Sequence, residues 1–408
     1  MRRAVILTGA RQTGKTTLVR RLLPQEGVPA VYLNLDDPDE RSRLMDNPVA
    51  RLDLGEQLVA IDEVQKLPQL MDVVKLHADR PEGPRFLLLG SSQILLLKQV
   101  RETLAGRVTL LHLWPLAVGE RVRARVAPHV GMDRLFERGE GGLKELARAL
   151  PPVERSRELR ASSEQTLLWG GFPSVETLAT DQQRRTWLRD YRSTYLERDL
   201  GDLGQVADLD NFALAQNLLA ARTAQILSYS EVSRELGVAV NTVKRYVRFL
   251  EISNQVFLLK PYAPRISKRL VKSPKLYWVD TGLARILSER FDAADGALYE
   301  TFVAGELLKW LSWQEEPPHI GFYRTHAGAE VDFVLWSEDV FIAIEAKATK
   351  RVHPGAARNL ERFLGEVEGE TVAQRDSLGL VVYRGQELRW LGENLWAVPD
   401  WLLFGGME

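Results

Sequence analysis

Residues 4–23 read "AVILTGARQTGKTTLVRRLL", and the fold of the N-terminal part turns on them. Ala4 to Leu7 form a short apolar strand signal, and a helical pattern opens at Lys15. The eight residues from Gly9 to Thr16 fit the pattern G-x-x-x-x-G-K-[ST]. A strand directly before and a helix directly after separate this loop from an accidental glycine-rich turn. The backbone N–H groups of Gly9, Ala10, Arg11, Gln12, Thr13 and Gly14 can then wrap a phosphate. The helix N-terminus adds the positive end of its dipole. Lys15 is placed to reach the β- and γ-phosphates and Thr16 to ligate Mg²⁺, with Thr17 next in the cradle.

Four more short apolar runs extend the pattern: "AVYLNLD" (30–36), "LVAIDE" (58–63), "RFLLLGSS" (85–92) and "VTLLHL" (108–113). They are spaced widely enough for helices between them, so the expected fold class is α/β with a mostly parallel sheet. "LVAIDE" ends a strand in Asp62, a carboxylate suited to the Mg²⁺ shell, followed by Glu63, which can polarise an attacking water. "LLLGSS" puts Ser91 and Ser92 at another strand end, with Ser92 the candidate for contact with the γ-phosphate or the water. The chain has no Asn-Lys-x-Asp motif for guanine, so the expected nucleotide is ATP.

A chain of 408 residues exceeds one typical core, and 45% hydrophobic with 27% charged residues fits folded protein rather than disorder. With no cysteine, disulfides, thiolate zinc sites and a cysteine nucleophile are excluded. There is no secretory pattern at the N-terminus and no run long enough for a membrane span, so a soluble, cytoplasmic protein without a membrane partner is expected. Changes of pattern divide the chain into a phosphate-loop core (1–115), a helical lid or linker (116–224), a winged helix-turn-helix (225–285) and an α/β domain (286–408).

The net charge of −1 hides an uneven distribution: residues 221–280 hold 11 Lys/Arg against 4 Asp/Glu. Within them "SYSEVSRELGVAVNTVKRYVRFLE" (228–251) reads as helix-turn-helix. Ser228 and Glu231 form a candidate capping box, Gly237 ends the first helix and Asn241 is the expected cap of the second. Val243, Val247 and Leu250 make one apolar face, leaving Lys244, Arg245 and Arg248 for a duplex. From Lys260 to Lys275 there are six cations and no acid, among them Lys268, Arg269 and Lys272, as a wing gripping DNA phosphates requires.

In "EVDFVLWSEDVFIAIEAKAT" (330–349), two apolar runs carry Asp332 and then Glu345 and Lys347. Alternation along a strand points Glu345 and Lys347 to one face, and Asp332 can come alongside. Two carboxylates and a carbonyl would suit Mg²⁺ or Mn²⁺, with the lysine orienting water against a phosphodiester. Glu330 is a rival ligand on the same face as Asp332.

The loop, "LVAIDE" and "LLLGSS", in this order, resemble the AAA+ ATPases. That resemblance implies a five-stranded sheet, and Arg107 in "LAGRV" (104–108) as a finger acting on a neighbour's ATP, hence a homo-oligomer such as a ring. "GGFPSV" (170–175), "YRSTYLERDL" (191–200), "KSPKLYWVDTGL" (272–283), "YETFVAGELL" (299–308), "GAEVDFVL" (328–335) and "IEAKA" (344–348) look like the signature of predicted prokaryotic AAA+ ATPases with a C-terminal domain of uncharacterised function. The spacing from Asp332 to Lys347 resembles the PD-(D/E)xK nuclease core, which implies a restriction-endonuclease-like fold and a helix glutamate. Glu300 is the first choice for that glutamate and Glu306 the second. The expected function is ATP hydrolysis coupled to remodelling or processing of duplex or branched DNA, with a metal-dependent nuclease domain attached. The alternative is a nucleotide-gated switch or scaffold with an inactive nuclease fold.

Overall fold

A computed structural model describes residues 3–25, 30–90, 104, 106–122, 129–199, 208–262, 271–292, 295–368 and 376–405. Ser91, Ser92, Lys268 and Arg269 lie outside the described residues. The chain divides into two compact units, residues 1–114 with 252–254, and residues 115–251 with 255–408.

In the first unit β1 (Ala4–Thr8), β2 (Ala30–Asn34), β3 (Leu58–Asp62), β4 (Arg85–Leu89) and β5 (Val108–His112) form one sheet in the order β2-β3-β4-β1-β5, parallel throughout. All five strands coincide with the apolar runs of the sequence. Parallel strands need crossovers, and α1 (Lys15–Gln25), α2 (Pro38–Asp46), α3 (Pro48–Leu52) and α4 (Leu70–Ala78) supply most of them. Asp37 accepts from the N–H groups of Asp39 and Glu40 with Pro38 in the first turn, which is why α2 starts there. The core takes Ile6, Val59, Ile61, Val74, Phe86 and Leu88 from the strands and α4. Because β1 is flanked by β4 and β5, the loop after β1 and the end of β3 open on the same carboxyl edge of the sheet, the usual ligand side of such folds.

The second unit begins with helices α5 (Val118–Arg121), α6 (Val130–Arg148), α7 (Val153–Trp169), α8 (Pro173–Glu176), α9 (Asp181–Asp199) and α10 (Leu209–Ala221). A three-stranded antiparallel sheet follows, ordered β6 (Gln225–Ile226), β8 (Lys275–Trp278), β7 (Val256–Leu259), with α11 (Tyr229–Leu236) and α12 (Val240–Ile252) inserted between its first two strands in sequence. Ser228 caps α11 and Gly237 closes it in a left-handed conformation (φ 65°). The expected cap of α12 is displaced. The helix starts at Val240, and the Ala239 carbonyl accepts from Thr242 and Val243, so Asn241 sits inside the first turn.

After α13 (Thr281–Ser288) and α14 (Gly296–Trp313) comes a six-stranded mixed sheet. It runs in the order β13 (Arg389–Gly392), β14 (Leu395–Pro399), β12 (Asp376–Tyr383), β11 (Val340–Lys347), β10 (Glu330–Trp336), β9 (His319–Arg324). Its faces alternate as a pleated strand dictates. Ile342, Ile344, Leu380 and Val382 pack with Tyr299, Phe302 and Leu307 of α14. Phe341, Ala343 and Val381 pack with Leu360, Phe363 and Leu364 of α15 (Arg358–Glu368) on the other side. α16 (Asp400–Phe404) follows β14 directly. One core cluster runs from Val118 through Tyr277 to Phe404, so the stretches read from sequence as lid, winged helix and C-terminal domain pack as a single body.

Candidate functional site

The loop of the first unit has the backbone the motif requires. Gly9 has φ 148° and Gly14 φ 97°, and Gln12 also sits at positive φ. A Cβ on Gly9 would stand 2.2 Å from the Leu113 carbonyl oxygen, so the strand end and the loop can approach only with glycine there. Thr13 Oγ1 donates to the Ala10 carbonyl at 2.9 Å, and Lys15 Nζ donates to the carbonyls of Gly9 and Ala10 at 2.9 and 2.8 Å. Arg11 is half-buried, while Thr16 and Thr17 are exposed on the first turn of α1.

Asp62 is buried and gathers three donors. Thr16 Oγ1 and Tyr32 Oη donate to its Oδ2 at 2.6 and 2.7 Å, and the Glu63 N–H donates to Oδ1 at 2.9 Å. Burial, reinforced by the hydrogen bond to Asp62, holds the Tyr32 phenol well above its ordinary pKa. Glu63 has a left-handed backbone (φ 53°, ψ 41°), unusual for a residue with a Cβ, and Gln65 Nε2 donates to its carboxylate. Lys15, Thr16, Asp62 and Glu63 thus share one edge of the sheet. Tyr32 is a member that the sequence reading missed; its register beside Ala60, two residues before Asp62, was the available signal. Arg107 is exposed and paired with Asp79 of its own chain at 2.6 Å.

In the second unit Lys244, Arg245 and Arg248 are exposed on α12, and Lys272 is exposed before β8. Lys275, counted among the wing cations, is instead buried. Its ammonium reaches Glu300 at 2.8 Å, Glu330 at 2.5 Å and Asp332 at 3.6 Å, and Tyr277 Oη donates to Glu300 at 2.6 Å. Burial opposes the lysine's charge, but Glu300, Asp332 and Glu330 together more than reverse this and raise its pKa. Burial, followed by the charge of Asp332, pushes Glu300 up to about 8. Asp332 is raised by burial, and its Oδ2 accepts from the Ala346 N–H at 2.9 Å. The register Phe333↔Ile344 brings Asp332 beside Glu345, and the β9–β10 pairing shifts between Val331 and Val334, an irregularity at the acidic residues. Glu345 is pushed up to about 7 by burial and then by Asp332, and Lys347 Nζ holds its Oε1 at 2.6 Å.

The acids that the sequence reading grouped, Glu300, Asp332 and Glu345, lie close together, and Lys275, read as a wing cation, stands among Glu300, Glu330 and Asp332. Among the described residues no group of three or more His, Cys, Asp or Glu side chains is arranged to hold a metal ion. An ammonium sits among Glu300, Glu330 and Asp332, so the expected Mg²⁺ or Mn²⁺ set of Glu300, Asp332 and Glu345 does not fit. Glu300 is the helix glutamate of this cluster; Glu306 faces away, holding Lys309 at 2.6 Å and the Val118 N–H at 3.0 Å. A lysine opening the otherwise apolar strand "KLYW" was the sign that its charge would be buried.

Comparison with known families matches residues 1–122 to an AAA domain, residues 160–294 to a domain of unknown function (DUF8612) and residues 295–403 to a second domain of unknown function (DUF4143). An uncharacterized protein of Mycobacterium tuberculosis is 31% identical over 404 residues, covering 97% of this chain and 79% of that protein. Among solved structures, the Walker-type ATPase of Pyrococcus abyssi aligns over 70% of this chain and 91% of its own, with 14% identity and a TM-score of 0.41. The RuvB Holliday junction branch migration motor of Thermotoga maritima aligns over 62% and 81%, with 18% identity and a TM-score of 0.27. Among the described residues no helix is long and apolar enough to cross a membrane.

Proposed function

The chain belongs to the family of the uncharacterized mycobacterial protein with which it is colinear, its N-terminal part being an AAA domain, and from that premise we propose that it hydrolyses ATP to act on DNA. The observation that carries the reading is the 2.6 Å hydrogen bond from Thr16 to Asp62, which joins the phosphate loop to the end of β3. A hydroxyl and a carboxylate so placed suit Mg²⁺, which when bound would neutralise phosphate charge. The loop N–H groups hold the phosphates, and Lys15, now resting on its own loop carbonyls, turns its ammonium to them. Glu63, aimed by its left-handed backbone and held by Gln65, orients a water for attack on the γ-phosphate. Arg107 in this scheme completes a neighbour's site after exchanging Asp79 for phosphate.

The DNA part of the reading is supported by the exposed cations of α12, with Lys272 exposed before β8. ATP turnover measured with single-stranded, duplex and four-way junction DNA tests it. Duplex or junction DNA should raise the rate severalfold, and an unchanged rate across the panel would refute the coupling. A second reading is favoured by Lys275. An acidic centre already filled by an ammonium suits a nucleotide-gated switch or scaffold better than a metal-dependent nuclease. Slow ATP turnover indifferent to DNA would select it.

A further inference from the structure

The second unit contains a cavity of about 370 Å³ lined by none of the residues assigned above to the ATP or DNA sites. That volume falls in the range of small-molecule sites. Strands β11, β12 and β14 are neighbours and parallel, and the residues after their carboxyl ends line the cavity: Lys350, Arg384 with Gly385, and Asp400 with Trp401. Ligands of α/β sheets collect at this edge. Opposite lies one stripe of α7, with Arg157, Arg160, Glu164 and Leu167 at helical spacing.

The charges do not balance. Glu164 is taken up by Arg384, whose guanidinium donates to both carboxylate oxygens at 2.8 Å. Asp400 is buried, with its oxygens accepting from Ser163 at 2.7 Å and Tyr299 at 2.9 Å, and burial pushes its pKa up to about 6. Neither acid is free to neutralise the remaining cations. Arg157, Arg160 and Lys350 form no ion pair among the described residues. Arg160 lies 6.0 Å over the Trp401 ring, and Ala161, Leu167 and Trp401 supply an apolar wall.

We propose that this cavity binds a phosphorylated small molecule of mononucleotide size, its phosphate held by Arg157, Arg160 and Lys350 and its body against the Leu167–Trp401 wall. Three cations exceed what a single carboxylate needs and match a phosphomonoester, whose charge is about −1.5 to −2 at neutral pH. Two of them are guanidiniums, which suit phosphate oxygens in pairs.

Calorimetric titration with AMP, using the full chain carrying Lys15→Ala to silence the phosphate loop, tests this directly. One saturable site is expected, with inorganic phosphate binding more weakly and adenosine giving no heat. Arg157→Glu with Lys350→Glu should weaken AMP by about tenfold or more. Both side chains are exposed, so the circular dichroism spectrum should stay the same. Absence of AMP binding at millimolar concentration, equal binding by the charge-reversed chain, or binding of adenosine as tight as AMP would each overturn the proposal.

Discussion

Replacing Lys275 with methionine tests what holds the six-stranded and three-stranded sheets together as one body. The ammonium has carboxylate oxygens of Glu330 and Glu300 at 2.5 and 2.8 Å and of Asp332 at 3.6 Å, with its side chain 1% exposed. Methionine keeps most of the volume, and with it the packing near Phe322, so the cavity contribution is small. The loss is electrostatic: removing one partner from a buried ionic cluster costs about 3–5 kcal/mol. The cost must depend on pH, and its sign is fixed. Glu300 ordinarily titrates near 4.5 but is held at about 8 in the fold, so the folded chain keeps a proton that the unfolded chain releases. Stability from such a group is present at low pH and is lost as pH rises from about 4.5 to 8. Without Lys275 the carboxylates rise further, each unit adding about 1.4 kcal/mol to the loss. That further rise costs stability only where the native carboxyl would already have ionised, which for Glu300 is above about pH 8. Urea unfolding followed by circular dichroism at about pH 5.5 and about pH 9.5 should therefore place the variant's deficit mainly at the higher pH. A deficit there below about 1 kcal/mol, or equal deficits at both pH values, would refute the assignment of the ammonium as the cluster's counter-ion.

Four further outcomes follow from the same geometry. Glu300→Gln should flatten the fall in stability of the native chain between pH 4.5 and 8, read from urea midpoints across that window. Glu63→Gln should retain ATP in equilibrium binding while turnover drops about a hundredfold or more; unchanged turnover would remove Glu63 as the group that orients water. Arg107→Ala should leave the melting temperature nearly unchanged, since its ion pair is exposed, yet reduce turnover sharply at protein concentrations where chains associate. If turnover is untouched, the residue serves only its own Asp79. Removing Lys244, Arg245 and Arg248 by alanine should weaken duplex binding and make log affinity less steep against log salt, by roughly one for each phosphate no longer neutralised, as fluorescence anisotropy in a salt series would report.

The parts legible in the sequence are those whose determinants are close together along the chain. Gly9, Gly14, Lys15 and Thr16 lie within eight residues, and the apolar runs that became β1 to β5 are separate and bounded, so loop and strands could be read directly. The pairing Asp332 with Glu345 was also readable, since an antiparallel pair joined by a short turn constrains its register. The cap of α12 was misplaced by two residues because Asn is a favoured cap, but the backbone had already entered the helix at Val240. Lys275 was beyond local reading. Its partners lie 25, 55 and 57 residues downstream, and a lysine in a cationic stretch reads as solvent-facing until the fold closes over it. The strands β13 and β14 were missed for a local reason: "RWLG" is only four residues long and ends in glycine, and "LWAVP" ends in proline, which demotes a strand signal.

Two of the buried lysines differ in what they hold. Lys15 is 8% exposed and donates to carbonyl oxygens of the loop that carries it, dipoles that a phosphate outcompetes as an acceptor for an ammonium. Lys275 is given to acidic side chains from a helix and a strand, Glu300, Glu330 and Asp332, with its own ammonium almost fully withdrawn from water. Pulling it out would strand charge on both sides, so no ligand of ordinary affinity could recruit it. The first arrangement permits a cycle of binding and release; the second permits only a joint. That difference, more than the presence of acidic residues in a nuclease-like spacing, is why the proposed turnover is sought at residues 9–63, while residues 275–332 are read as a fixed joint.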